Sequence, residues 1–251
     1  MKIEKYLLPK ELFFFMSKEM TVFIILLSNF LNEISVLYKC IRIKPKALNT
    51  NTPEATAEFC FLLMFIKLMA SKLYEGWRLI TKLNKNLSIE LNGILSDKSK
   101  KMKKEINRYF KKGSNLEKIR NYFGFHYEHE KGIVEKGLEQ LAAIKGSTLN
   151  GLTFFLSECH ENRLFAFSDF IILEALKKEI VCRDGENFFE TFCRDTSRMC
   201  DLLHEFAMNC LLEIAAAKNI HLEPVEEINI SNPPSYNDIN FPFFIRREEE
   251  E

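Results

Sequence analysis

The sequence predicts an all-α protein: a helical bundle with a small β-hairpin insertion over about 152–167 and an extended acidic C-terminal tail. Three observations predict it. Nine glycines and seven prolines are few for 251 residues, while Leu, Lys, Glu, Ile and Phe dominate, which favours long helices over turn-rich β structure. Apolar residues recur at helical spacing through much of the chain. Capping and breaking residues stand where those periodic runs begin and end. With 47% hydrophobic residues the chain can bury a sizeable core, and it divides into one helical domain over 1–221 and a tail over 222–251.

Residues 11 to 41 carry a helical stripe (Phe15, Phe23, Leu27, Phe30, Leu31, Ile34, Leu37) and end in "RIKPKALNTN", a loop by its Pro and Asn content. Thr52, Pro53 and Glu54 supply a capping hydroxyl, a first-position proline and a first-turn acid, so a second helix runs from there to about residue 83. Leu73, Trp77 and Ile80 share one of its faces, and Trp77 reads as core. A third, polar helix is expected over 96–112, closed by Gly113. Ser114 and Glu117 form a capping-box pattern that starts a further helix, ending near Gly132, and the helical pattern resumes over 133–144. "LTFFLSE" and "NRLFAFS" are short, partly alternating aromatic runs separated by Cys159, His160 and Glu161, which read as a β-hairpin or a loop insertion. Ser168 and Asp169 open a helix to about residue 181, and 184–217 is long and amphipathic with Phe188, Phe192, Met199, Leu202, Phe206 and Leu211 inward. Beyond residue 221, "SNPPSYNDINFPFF" and the closing "REEEE" give the tail.

The apolar run "MTVFIILLSNFL" is bracketed by Lys18, Glu19 and Glu33 and falls short of the roughly 20 apolar residues a span needs, so a core helix and no membrane association are expected. No cleavable leader is evident. The seven cysteines contain no CxxC pair and read as reduced, mostly buried thiols of a cytoplasmic protein.

Net charge is zero, but its distribution is uneven. Ten cations fall between Lys98 and Arg120, opposed only by Glu105 and Glu117. Of these, Lys101, Lys104, Arg108, Lys111, Lys112 and Lys118 are the candidate RNA-binding residues, although a solvated helix face gives the same pattern. The segment runs into "IRNYFGFHYEHEKG", residues 119–132. On one continuous helix Arg120 and His126 stand about 120° apart and about 9 Å apart along the axis. Convergence therefore needs either a bend at Gly124 or a second copy of the helix across a two-fold axis. A histidine near neutrality can take a proton from a ribose 2′-hydroxyl or give one to the leaving 5′-oxygen, and a guanidinium fork can hold the phosphate. Arg120, Asn121 and His126 suffice for that chemistry without a metal or cofactor.

The spacing in "RNYFGFH" resembles the arginine, polar residue, histidine signature (R-x4-6-H) of the HEPN superfamily, helical-bundle proteins many of which are metal-independent endoribonucleases of toxin–antitoxin, phage-defence and CRISPR systems. The resemblance covers roughly residues 10 to 145. It implies a homodimer with facing motifs, catalytic Arg120, His126 and Asn121, RNA as substrate and, in the toxin version, a cognate antitoxin. Glu75, on the neighbouring helix, can orient His126 or Arg120, and Tyr127 and His129 are further supporting candidates; Glu128 stands where some members carry a tyrosine, two positions after the histidine.

Other readings remain open. Arg120 can pair with Glu117 or Glu128, His126 can be a half-buried structural histidine, and Glu75 can pair locally with Arg78. His126, His129 and Glu130 with Cys159 and His160 form a weaker metal-binding pattern that lacks HExxH spacing. The alternative function is a non-catalytic helical module binding a nucleotide or a partner protein.

Overall fold

The computed structural model describes residues 1–8, 10, 13–14, 16–42, 52–111, 113–121, 132–143, 153–157, 162–220 and 222–239. Among these the chain is all-α apart from one two-stranded ladder and an isolated bridge. The order is β1 (Lys2–Tyr6), α1 (Lys18–Arg42), α2 (Pro53–Thr81), α3 (Lys85–Ile94), α4 (Asp97–Phe110), α5 (Asn115–Ile119), α6 (Ile133–Ala143), α7 (Ala166–Glu179), α8 (Phe188–Ala217) and β2 (Pro224–Asn229), followed by a 3₁₀ turn at Tyr236–Asp238.

Most helix starts carry a side-chain cap; α7 instead begins at Ala166 without one, ahead of the expected Ser168. Thr52 accepts from the Ala55 N–H at 3.2 Å with Pro53 in the first position, and Ser96 and Ser114 accept from the Ser99 and Glu117 N–H groups, each at 3.2 Å. Such caps contribute about 1 kcal/mol each. The same rule corrects two expected boundaries. α1 begins at Lys18 rather than residue 11, because Ser17 accepts from the Met20 N–H at 3.2 Å. α8 begins at Phe188 rather than 184, because Asn187 and Glu190 form a capping box and Gly185 turns the preceding chain at φ 81°. α3 was not expected at all; it buries only Leu87 and Leu91, one turn apart.

α2 and α8 form the centre. Leu63, Ile66, Met69 and Leu73 of α2 meet Phe192, Met199, Leu203 and Phe206 of α8, with Leu27 and Ile34 of α1 and Ile106 and Phe110 of α4 completing the main core. Gly76 lets α1 approach α2: a Cβ there would stand 2.3 Å from the Phe30 ring. Gly137 does the same for α6 against α7, where a Cβ would stand 2.3 Å from the Ile171 carbonyl oxygen. The indole N–H of Trp77, partly buried against the core, donates to Asn107 Oδ1 at 3.2 Å. Leu202 and Leu211 pack at the core's margin instead of within it.

One described helix, Lys18–Arg42, is long and apolar enough to cross a membrane. Its face bearing Met20, Phe23, Ile24, Leu27, Phe30, Leu31 and Ile34 is buried within the fold, while Val22, Ile25, Leu26 and Val36 are exposed.

The hairpin expectation is met by a single antiparallel bridge, Phe155 to Leu164, with hydrogen bonds of 2.8 and 3.0 Å. Phe155 and Leu164 belong to a small second cluster with Ala57, Cys60, Ala166 and Phe170. The described part of the tail, 222–239, begins with a strand: β2 runs antiparallel to β1, with Lys2 bonded to Glu227 at 2.5 Å and Lys5 to Glu226 at 3.0 Å. Both strands are exposed throughout. The 3₁₀ turn returns to α1, where the Arg42 guanidinium lies 5.3 Å from the Tyr236 ring centroid.

Candidate nucleic-acid interface

α4 turns Met102, Ile106 and Phe110 into the core. Lys101, Lys104, Arg108 and Lys111 fall within about 80° of arc on the opposite side. All four are exposed, and none has a carboxylate partner among the described residues. The neighbouring cations differ. Lys98 is bonded to Glu205 at 2.6 Å. Burial lowers the pKa of Lys103. Lys118 donates to the Glu179 carbonyl at 2.8 Å, away from the ridge. Lys112 lies outside the described residues.

Arg108 also borders an open groove of about 700 Å³ between α4, the start of α5, the 181–183 segment and α8, where Arg183, Arg194 and Arg198 join it. The floor of the groove is a hydrogen-bonded network around the buried Asp195. Asp195 accepts from the Tyr109 hydroxyl at 3.0 Å, from Asn115 Nδ2 at 3.2 Å and from Arg194 Nε and Nη2 at 3.1 and 2.9 Å. Burial, then the carboxylate charge, push the Tyr109 phenol far above its usual range, so it stays protonated and donating. Arg194 also bonds Glu186; that hydrogen bond is the largest of several effects holding the Glu186 carboxyl below its usual pKa. Arg198 is bonded to Glu105 at 2.7 Å. Asn115 clamps residue 181 from both sides, accepting from the Val181 N–H and donating to its carbonyl, each at 3.1 Å.

At the other end of α5 the chain widens into a π-helical turn at Arg120 and Asn121. The Arg120 guanidinium donates to Asn121 Oδ1 at 2.9 Å and to Glu75 Oε1 at 3.3 Å, and its carbon lies 4.8 Å from the Tyr74 ring centroid. Among the described residues Arg120 has its ion pair with Glu75 on α2, not with Glu117. Glu75 also accepts from Arg78 at 3.2 Å, so the local pair and the inter-helix pair coexist on one carboxylate. The fold thus brings Arg120, Asn121 and Glu75 together. His126, Tyr127 and His129 lie outside the described residues, as do Gly124, Glu128, Glu130, Cys159 and His160.

Cys60, Cys200 and Cys210 are buried thiols, each pushed up to about 12 chiefly by that burial. Cys193, by contrast, is exposed. No group of three potential metal ligands gathers among the described residues.

Sequence reading missed Arg183, Arg194, Arg198, Asp195, Tyr109 and Asn115. One signal was present. Asp195 falls in register with Phe188, Phe192 and Met199, so a carboxylate on the inward stripe of α8 required buried donors.

No protein-family model, curated protein or solved structure matches the chain at a significant level.

Proposed function

We propose that this protein is a metal-independent endoribonuclease of HEPN type that acts as a homodimer, with Arg120 and His126 as the catalytic pair and Asn121 assisting. The observation that carries the reading is the setting of Arg120: a guanidinium oriented by Asn121, Glu75 and the Tyr74 face, on a π-helical turn. Turns of that kind are frequent at functional sites. Arg120 retains 24% exposure, so a phosphate oxygen can reach it.

In this mechanism His126 removes the 2′-hydroxyl proton as that oxygen attacks phosphorus. The phosphorus–O5′ bond breaks, leaving a 2′,3′-cyclic phosphate and a 5′-hydroxyl. The imidazolium of the second subunit protonates the departing O5′, and Arg120 stabilises charge growing on the phosphoryl oxygens. Lys101, Lys104, Arg108 and Lys111, which have no carboxylate partner among the described residues, offer charge along which a strand can lie.

The test is cleavage of a fluorescent RNA in EDTA. Wild type is expected to cut, with Arg120→Ala and His126→Ala each reduced at least about a hundredfold. Equal cutting by wild type and both variants would remove these residues from catalysis.

A further inference from the structure

We propose that the groove between α4 and α8 binds a 5′-phosphate, carried by a free nucleotide or by the end of an RNA strand, with Arg108 and Arg183 as the residues that take the phosphate. This site is separate from Arg120 and stands whether or not Arg120 cleaves RNA.

The four guanidiniums bordering the groove divide into two kinds. Arg194 is held by Asp195 and Glu186, and Arg198 by Glu105. Arg108 and Arg183 have no carboxylate hydrogen bond among the described residues; Arg183 only adds, through space, to the depression of the Glu186 pKa. Two available guanidiniums match the double negative charge of a phosphate monoester better than the single charge of a diester. Arginine forks suit this task because their donors meet phosphate oxygens in pairs.

The groove is also built to hold its shape. Asp195 on α8 binds α4 through Tyr109 and α5 through Asn115, and the adjacent Arg194 guanidinium holds its other oxygen. The two bonds between Asn115 and residue 181 fix the segment that carries Arg183 two residues later. A site pre-ordered in this way loses little freedom when a ligand arrives. Its volume of about 700 Å³ lies within the range of small-molecule sites and leaves room for a nucleoside beyond the phosphate.

The experiment is calorimetric titration of the full chain at low salt with three probes: adenosine 5′-monophosphate, a short RNA bearing a 5′-phosphate, and the same RNA with a 5′-hydroxyl. Expected is binding of the monophosphate, the 5′-phosphorylated RNA or both, at least about tenfold tighter than the 5′-hydroxyl RNA. Arg108→Ala/Arg183→Ala should lose at least tenfold for the bound probe, whereas Lys98→Gln should bind like wild type. Binding of the monophosphate identifies a free nucleotide as sufficient; binding of the phosphorylated RNA alone identifies a strand end. Equal affinity for the two RNAs with no monophosphate binding, no binding of any probe, or unchanged binding in the double variant each overturns the proposal. Both arginines are exposed, so the double variant should keep the wild-type unfolding temperature; if it does not, Arg183→Ala alone carries the same prediction at a smaller loss.

Discussion

The two walls of the arginine groove are both rich in positive charge and differ in what that charge is free to do. On α8, Arg194 and Arg198 are bonded to Asp195, Glu186 and Glu105. On the α4 side, Arg108 borders the groove and Lys101, Lys104 and Lys111, the last just past the helix end, share its exposed face outside the groove; none of the four has a carboxylate partner among the described residues. Counting cations along a sequence therefore overstates one wall relative to the other. Arg198 ties α8 to α4 and Arg194 braces the start of α8, whereas these four cations remain available to a ligand.

The largest effect should come from removing the centre of the structural wall. Asp195→Ala leaves Arg194 half-paired, deprives the Tyr109 hydroxyl of its acceptor and removes one of the two acceptors of Asn115 Nδ2, at a cost of about 3 kcal/mol. A urea midpoint lowered accordingly is expected; an unchanged midpoint would mean that α8 is not braced by this network. The second test addresses the lysines beside the groove. Lys101→Gln/Lys104→Gln/Lys111→Gln should make the salt dependence of single-stranded RNA affinity shallower by roughly 2 log units per log unit of salt, since each phosphate contact contributes about 0.7. Stability should stay nearly constant. A slope equal to that of wild type would show that the ridge does not meet RNA.

Lys98→Gln sharpens the contrast at smaller scale. Its exposed bond to Glu205 predicts a stability change within about 0.5 kcal/mol and no change in slope. The smallest effect concerns His204 on α8, the only histidine among the described residues, whose Nε2 lies 3.3 Å from Ser35 Oγ. Burial lowers its pKa, against a weaker opposing pull from Asp201. The folded state thus favours the neutral ring more than the unfolded chain does. Its stabilising contribution is complete above the unfolded value of about 6.5 and declines as pH falls from there through the lower folded value. The unfolding temperature of wild type should therefore drop slightly more than that of His204→Gln between about pH 7.5 and about pH 5. Parallel curves would exclude this residue.

Helix existence was legible wherever a cap preceded an apolar stripe, as at Thr52–Pro53, Ser96 and Ser114. It was illegible for α3, whose two buried leucines make too short a pattern to stand out. The start of α8 was readable from Asn187 and Glu190, but the acidic, polar stretch before it resembled a first turn. The basic face of α4 could be read because helical spacing alone decides which side a lysine takes. The groove could not, since Asn115 and Asp195 stand 80 positions apart and no local rule brings them together. The Arg120–Glu75 contact was anticipated as one possibility only because both residues were already under suspicion; 45 positions separate them.

The β1–β2 ladder carries a consequence for how the chain matures. Lys5 and Glu226 meet across 221 positions, so this clasp closes only after the stretch carrying Glu226 has been made. Most helix pairs lie nearer in sequence and can condense first, leaving the ribbon as the last contact to zip and the first to open under strain. Fusing the two strands through a short turn, with new ends cut elsewhere on the surface, would make that slow closure local and should quicken refolding.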